Sequence, residues 1–226
     1  MTDTVKPHAG TQAARADRAG ATRDAILTAA ERLFAEHGLF AVSNRQVSEA
    51  AGQGNNAAVG YHFGTKADLL RAIVHKHNTA VEQLCQQMVE QVGAQPELRD
   101  WVECLVRPLA AHLTELGSPT WYARFSAQLM PDPAHRDLVS VESLTSSAVL
   151  MIIEGLTRCL PDLAPEVRVE RNAMARQLIV GTFAERERAL AAGDPTPHRS
   201  WDAMATSLVD AITGLMSAPA SPRAMR

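Results

Sequence analysis

Apolar residues recur at helical spacing along most of the chain, and this pattern predicts the main elements. A first amphipathic helix is predicted over residues 22–37, and Gly38 ends it. Its apolar face consists of Ile26, Ala30, Leu33 and Phe34. A longer helix is predicted from about residue 66 to Gly93, because a single apolar face continues through that whole stretch.

Further helices follow, with glycine and proline marking the boundaries between them. They are predicted over residues 97–116, 119–130, 133–159, 166–192 and 200–216. Ser118-Pro119 and Asp132-Pro133 each place an N-cap residue before a proline at the first helical position. The sequence contains no alternating strand pattern of convincing length. The predicted fold class is therefore all-α.

The most informative stretch is SNRQVSEAAGQGNNAAVGYHFGTK, residues 43–66. Ser43 and Gln46 form a capping box that starts a short helix, and Gly52 can take the left-handed conformation that ends it. A second short helix is predicted from about Asn55 to His62. Two short helices joined by a glycine turn predict a helix-turn-helix. A plain helical hairpin within an all-α core has the same local pattern.

The second short helix is polar where it begins, and this suits contact with DNA. Asn55 and Asn56 are predicted in its first turn, and an asparagine amide can donate to and accept from adenine in the major groove. Tyr61, His62 and Lys66 are expected near the groove edge, where phosphates lie. This arrangement suits a nucleic-acid interface, and the plain hairpin stays an equal alternative on the local pattern alone.

The segment from about residue 23 to 74 resembles the N-terminal domain of TetR-family regulators. The resemblance rests on ERLFAEHG, AAG and YHFGTKADLL, and it is carried by Phe34, Gly38, Gly52, Tyr61, His62, Phe63, Lys66 and Leu69. It implies base contacts from Arg45, Asn55, Asn56 and Ala57, and phosphate contacts from Asn44, Tyr61, His62 and Lys66. Two positions depart from the family's pattern: Gln53, where an apolar residue is common, and Gly60, where many members have a DNA-contacting tyrosine.

The resemblance also implies the organisation of the chain. A three-helix DNA-binding domain is expected over residues 21–66, and a helical bundle for ligand binding and dimerisation over residues 67–217. Residues 1–20 are expected to be a disordered arm and residues 218–226 a disordered tail, because they show almost no apolar periodicity.

Charge is unevenly distributed between these regions. The net charge of −3 divides into +2 for residues 1–76 and −5 for residues 77–226, which fits a nucleic-acid-binding head on an acidic body. No apolar run is long enough to span a membrane, and the first residues lack a signal peptide's apolar stretch, so a cytoplasmic protein is expected. Three widely spaced cysteines suggest buried small residues rather than disulfides, and no metal or other cofactor is predicted.

The last two helices carry apolar stripes that are candidates for a dimer interface. They hold Met174, Leu178, Phe183, Met204, Leu208 and Ile212. A homodimer on a palindromic operator is expected because one helix-turn-helix reads only a half-site. The resemblance implies a four-helix bundle between the two subunits. Ordinary core faces would give the same stripes.

A cluster of aromatic residues lies in the middle helices, although aromatics make up only 4% of the chain. It consists of Trp101, Trp121, Tyr122 and Phe125, with Arg124 among them. One hypothesis is a pocket for a flat or apolar effector, with Arg124 pairing an acidic group of that molecule. The alternative is that these residues belong to the hydrophobic core.

The predicted function is sequence-specific repression of transcription, with release of the operator when a small molecule of unknown identity binds. An enzyme is disfavoured because the sequence lacks a Gly-x-Ser-x-Gly elbow, a Cys-x-x-Cys pair, a His-Glu-x-x-His pair and a phosphate-binding loop. A second alternative is an interaction module whose hairpin binds protein. That module would show no salt-dependent affinity for DNA.

Overall fold

The computed structural model describes residues 9–131, 146–160 and 162–220, with side chains from residue 17 onward. Within these ranges the regular secondary structure is entirely helical, which confirms the all-α fold class. The helices are α1 (Ala9–His37), α2 (Asn44–Ala50), α3 (Ala58–Phe63), α4 (Lys66–Gln91), α5 (Leu98–Leu116), α6 (Tyr122–Leu129), α7 (Ser147–Cys159), α8 (Pro165–Ala192) and α9 (Trp201–Ser217).

Helix α1 begins at Ala9, well before the predicted start at residue 22. Residues 9–20 are therefore helical, and the disordered arm predicted there is wrong for that part, while residues 1–8 lie outside the described ranges. Alanine and arginine are strong helix formers even where no apolar stripe faces a core. Apolar periodicity detects only the helical turns that pack against a core, so it misses the solvent-facing first turns of α1.

The described chain divides into two compact units, and the division falls within α4. Unit 1, Met1–Ile73, holds α1, α2, α3 and the first residues of α4. Helix α2 packs against both α1 and α3. The unit has its own core, whose fully buried members include Ile26, Ala30, Phe34, Val47, Val59, Leu69, Leu70 and Ile73.

Unit 2, Val74–Arg226, is a second helical body with a separate core. Helix α5 packs against α7 and α9, helix α8 against α6 and α9. Its largest fully buried side chains are Leu113, Phe125, Leu129, Ile152, Phe183, Ile212 and Met216.

The boundary before α6 differs from its prediction. Ser118-Pro119 was expected to cap and start a helix, but α6 begins at Tyr122 with Trp121 at its N-cap position. The peptide bond between Ser118 and Pro119 is cis, and it precedes the helix. The other predicted cap, Asp132-Pro133, lies outside the described residues, where α7 is described from Ser147 onward.

A membrane-spanning helix must be long and apolar enough to cross the hydrocarbon core of a bilayer. Across the described ranges, none combines the length and the apolar composition that a membrane span requires.

Candidate nucleic-acid interface

The first helix of the helix-turn-helix is held by the predicted capping box. The Ser43 Oγ accepts from the Gln46 backbone N–H at 3.3 Å, and the Ser43 N–H donates to Gln46 Oε1 at 2.8 Å. Both bonds satisfy donors that a helix start leaves unpaired. These two hydrogen bonds lie within the first turn of α2 and determine the residue at which the helix begins.

A sharp glycine turn follows α2. Gly52 has a φ of +69°, a region in which side chains with a Cβ are strained. The Gly52 N–H donates to the Glu49 carbonyl at 3.0 Å, and the Gln53 N–H donates to the Ser48 carbonyl at 3.0 Å. The buried Ser48 hydroxyl then donates to the Asn56 carbonyl at 3.3 Å, which ties α2 to the residues before α3.

The two asparagines lie before α3 rather than in its first turn. Asn55 Oδ1 accepts from the Ala57 N–H at 2.9 Å, and the Asn55 carbonyl accepts from the Ala58 N–H at 3.0 Å. The Asn55 amide is therefore part of the turn that starts the helix. Asn56 is exposed, and its side chain makes no hydrogen bond to the described residues. The two neighbours thus have different geometry, which their sequence positions did not distinguish.

Arg45 lies on the outer face of α2 and is exposed. Its Nε donates to Glu49 Oε1 at 2.8 Å, one helical turn away. The hydrogen bond and the negative charge of Glu49 raise the pKa of Arg45, which stays a cation. Asn44, one residue earlier, is half-buried at the start of the same helix.

Tyr61 and His62 lie at the end of α3. Tyr61 is 85% exposed, so its phenol ring is available to an external partner. His62 is half-buried, and its ring meets the Tyr61 ring edge-on with centroids 5.0 Å apart. Ala57, the last residue before the helix, is also exposed. The exposed phenol offers both an apolar ring and a hydroxyl to an external partner.

Lys66 makes a contact that sequence reasoning missed. Its Nζ donates to the carbonyls of Leu39 and Val42, the latter at 2.6 Å, and lies 5.4 Å from the centre of the Phe34 ring. Burial lowers the pKa of the ammonium. Two of its three donors thus bind the loop between α1 and α2. The sequence offered one signal for this contact. The loop between α1 and α2 has backbone carbonyls that no helical hydrogen bond satisfies, so a donor from elsewhere in the chain is expected to bind them.

Two family models match the chain. The model of bacterial regulatory proteins of the tetR family matches residues 26–73, and the tetracyclin repressor-like C-terminal domain matches residues 103–214. Together they cover most of the chain and both of its units. The chain belongs to the TetR family. TetR-family proteins are DNA-binding transcriptional regulators and not enzymes, so the interface described above is a DNA-binding helix-turn-helix.

Solved structures of TetR-family regulators resemble the chain in fold. PfmR from Thermus thermophilus is 16% identical, with 87% of this chain and 99% of PfmR covered at a TM-score of 0.53. A TetR-family regulator from Streptomyces coelicolor is 23% identical, with 88% and 96% covered at a TM-score of 0.44. The multidrug binding protein EbrR, solved with imidazole, is 20% identical, with 88% and 92% covered at a TM-score of 0.44. A comparison with curated proteins gives no match.

The aromatic residues predicted for an effector pocket of this TetR-family protein are mostly packed inside unit 2. Trp101 is 5% exposed. Tyr122 stacks on His77 with centroids 3.9 Å apart, and its hydroxyl donates to Asn78 Oδ1 at 3.2 Å. Phe125 is fully buried, whereas Trp121 is half-buried. Of the four aromatic residues, Trp121 is thus the most open to a ligand.

Arg124 is already paired within the protein. Its Nε lies 3.2 Å from Glu187 Oε2, and its backbone N–H donates to the same oxygen at 2.8 Å. Its Nη2 donates to the Thr120 carbonyl at 3.3 Å. The predicted pairing of Arg124 with an acidic group of the effector therefore needs correction, because Glu187 occupies that position.

Four of the six predicted dimer residues also need correction. Phe183, Met204, Leu208 and Ile212 are at most 5% exposed because they form the core between helices of unit 2. Met174 and Leu178 are 47% and 41% exposed. Only these two of the six have surface available to a partner.

The remaining chemistry-bearing side chains form no metal site in the described ranges, where no group of three or more His, Cys, Asp or Glu could hold an ion. The three cysteines are free thiols, and Cys85 and Cys104 are buried.

Proposed function

We propose that this TetR-family protein is a dimeric repressor that binds a palindromic operator in the cytoplasm and leaves it when a small molecule binds. The observation that carries the proposal is the capped α2, the Gly52 turn and the start of α3, where the exposed Asn56 amide makes no hydrogen bond to the described residues. A polar side chain free of internal bonds at this point is suited to reading a base edge.

The proposed contacts with DNA fall into two groups according to their geometry: side chains that contact base edges and side chains that contact phosphates. Asn56 and Arg45 are proposed to read bases, with Ala57 offering its methyl group to thymine. Tyr61, His62 and Asn44 are proposed to bind phosphates, which positions the helix without reading sequence. Asn55 shapes the turn, and Lys66 holds the loop between α1 and α2.

The dimer is proposed to form through the outer faces of α8 and α9. Met174 and Leu178 are exposed on α8 together with Gly181. On α9 the exposed positions Ser207, Ala211 and Gly214 follow each other at helical spacing and have small side chains. A helix pair with large apolar groups on one member and small groups on the other can pack closely against a second copy of itself.

The effector is proposed to act on the part of α4 that belongs to unit 2. His77 and Asn78 lie on this helix beside Tyr122, and the half-buried Trp121 is adjacent along the chain. Helix α4 itself begins at Lys66 in unit 1. A ligand that favours one position of α4 by 1–3 kcal/mol would change operator affinity by about 5–150-fold.

The experiment is a genomic footprint followed by titration of the recovered operator at several salt concentrations. A repressor must bind with an affinity that falls steeply as salt rises. Asn56→Ala should lose discrimination at one base pair per half-site, and a compound screen should find molecules that release the operator. Absence of salt-dependent DNA binding would reject the proposal in favour of a protein-binding module.

A further inference from the structure

Arg23 on α1 lies beside the end of α3, the second helix of the helix-turn-helix. Its guanidinium carbon lies 4.5 Å from the centre of the Phe63 ring. Phe63 is the last residue of α3 and is 9% exposed, whereas Arg23 is exposed. The contact therefore holds a cation from α1 at the outer edge of the DNA-binding unit.

Arg23 has no counter-charge within the protein. Among the described residues, no carboxylate forms an ion pair with it. Side chains one helical turn away on either side can reach each other. At Arg23 these positions are held by Ala19, Gly20, Ile26 and Leu27. The carboxylates closest in sequence, Asp17 and Asp24, lie six residues before and one residue after Arg23, and these spacings direct them to another side of the helix.

The ring contact orders the guanidinium without using its hydrogen-bond donors. A cation over an aromatic ring is attracted by the ring face, and the five N–H groups of arginine remain a planar fork. Other cations of unit 1 are committed inside the protein: Arg71 donates to Asp68, and Lys66 donates to loop carbonyls. Arg23 makes no hydrogen bond to the described residues, so its fork is available to an external anion.

The rings beside Arg23 connect it to the proposed phosphate contacts. The Phe63 and His62 ring centres are 6.5 Å apart, and those of His62 and Tyr61 are 5.0 Å apart. Arg23, Phe63, His62 and Tyr61 thus form a continuous row at the end of α3. Phosphates follow each other along one DNA strand with a rise of about 3.4 Å, so groups at this spacing can contact neighbouring phosphates.

We infer that Arg23 binds a backbone phosphate of DNA next to the phosphates bound by Tyr61 and His62. Its contact with Phe63 places the guanidinium, and the fork supplies a charge-assisted hydrogen bond that does not depend on base sequence. This inference rests on the proposed phosphate contacts of Tyr61 and His62. It adds to them a cation from α1, a helix outside the helix-turn-helix.

The first test is the salt dependence of DNA binding for Arg23→Gln. Fluorescence anisotropy is measured with the operator recovered from the footprint and with a duplex of arbitrary sequence. The slope of log K against log salt should fall by about 0.9 for each bound subunit. Both duplexes should lose affinity by about the same factor, because a phosphate contact does not read sequence.

Arg32→Gln is the matched control for this test. Arg32 carries the same charge on the same helix, but nine residues further along, which is two and a half turns and therefore the opposite side of α1. Its slope should equal that of the wild type. Thermal melting of both variants verifies that unit 1 is folded.

A second pair of variants leaves Arg23 and its ring contact in place. A Cβ added at Gly20 meets nothing within 4 Å, so Gly20→Glu and Gly20→Gln should both fold. A carboxylate at position 20 lies one turn before Arg23 and can pair with it, in competition with the phosphate. Gly20→Glu should therefore bind DNA more weakly than Gly20→Gln. That difference should shrink when Arg23→Gln is added to both.

Ethylation interference identifies the phosphate itself. Ethylated phosphates that block binding of the wild type mark its backbone contacts on the operator. With Arg23→Gln, one such phosphate per half-site should no longer interfere, and it should adjoin those affected by Tyr61→Phe. A purely structural role for Arg23 would weaken binding while leaving the whole pattern unchanged.

The outcomes separate this inference from the proposed function. DNA binding by the wild type that does not depend on salt overturns the proposed phosphate contacts and the inference together. Salt-dependent binding with equal slopes for Arg23→Gln and the wild type overturns the inference alone. Equal slope losses for Arg23→Gln and Arg32→Gln also overturn it, since the effect would then be one of overall charge. So does a Gly20→Glu effect that is the same with and without Arg23.

Discussion

The Trp101 indole lies directly against the backbone of α7 at Gly155. A Cβ built on Gly155 would lie 2.2 Å from Trp101 Cε2, far inside any contact distance. Helix α7 can approach α5 only because position 155 has no side chain. Trp101, which the sequence placed in an effector pocket, therefore makes a structural contact between two helices.

Gly155→Ala should destabilise unit 2. Overfilling a packed site costs about 1–3 kcal/mol because neighbouring side chains must leave their preferred rotamers. Thermal or urea unfolding followed by Trp fluorescence measures the loss. Gly20→Ala is the control, since its added methyl meets nothing within 4 Å in α1 and should stabilise slightly. Equal stability of Gly155→Ala and wild type would show that Trp101 can move aside.

Lys66→Met should lower stability without changing how DNA binding responds to salt. The thioether keeps the apolar stem but leaves the carbonyls of Leu39 and Val42 without their donor, at a cost of about 1–3 kcal/mol. Melting temperature and the slope of log K against log salt are the two measurements. A slope reduced by about one would instead identify Lys66 as a phosphate contact, as the sequence suggested.

Asn56→Ala and Asn55→Ala should weaken DNA binding in different ways. Loss of the free Asn56 amide should relax the choice at one base pair by about 1–3 kcal/mol and leave other positions unchanged. Loss of the Asn55 turn should weaken binding to every sequence, because its side chain accepts from the Ala57 N–H. Binding to a library of operator variants distinguishes the two, and identical profiles would contradict these separate roles.

Glu49→Gln should raise operator affinity. Arg45 must leave Glu49 to reach a base, and an ion pair this exposed is weak because water and salt screen it. Removing the carboxylate should improve binding at least about twofold, and further at low salt, because a negative charge near the phosphates is also lost. Anisotropy titrations at two salt concentrations measure the gain. Unchanged or weaker binding would mean that Glu49 positions Arg45 for the contact.

The buried cysteines should react with iodoacetamide only at high pH. Burial raises the pKa of Cys85 to about 12 and that of Cys104 to about 11, and only the thiolate is nucleophilic. Their labelling rates in the folded protein should still increase about tenfold per pH unit between pH 8 and pH 9.5. Urea-unfolded protein is the control, in which all three thiols should level off near their ordinary pKa. A plateau for folded Cys85 by pH 9 would contradict the burial.

Most helix positions could be predicted from the sequence. The predicted 97–116 and 166–192 agree with Leu98–Leu116 and Pro165–Ala192 to within a residue, and the capping box at Ser43 is present. The start of α1 at Ala9 could not be predicted in this way, because its first turns have no apolar face. Helix α3 begins after Asn56 and not at Asn55 as predicted. The Asn55 turn, and not helical periodicity, determines where that helix begins.

Side-chain partners were much less predictable than helices. Met204, Leu208 and Ile212 recur at helical spacing, which shows that one face of α9 is buried without showing which neighbour buries it. They face the interior of unit 2, and the exposed positions proposed for a dimer contact lie elsewhere on α8 and α9. The carbonyls that accept from Lys66 and the carboxylate beside Arg124 likewise come from residues 24 or more positions away in the chain.

The sequence by itself determined the family, the all-α class and the helix-turn-helix, because these depend on spacing, caps and glycine turns that act over a few residues. Only the tertiary structure decided which of the predicted site residues are free to act. It paired Arg124 with Glu187, set Lys66 against loop carbonyls, left the Asn56 side chain exposed, and buried the Arg186 Nε without a partner among the described residues. The physical reason is that a side chain's availability depends on distant segments that folding brings beside it.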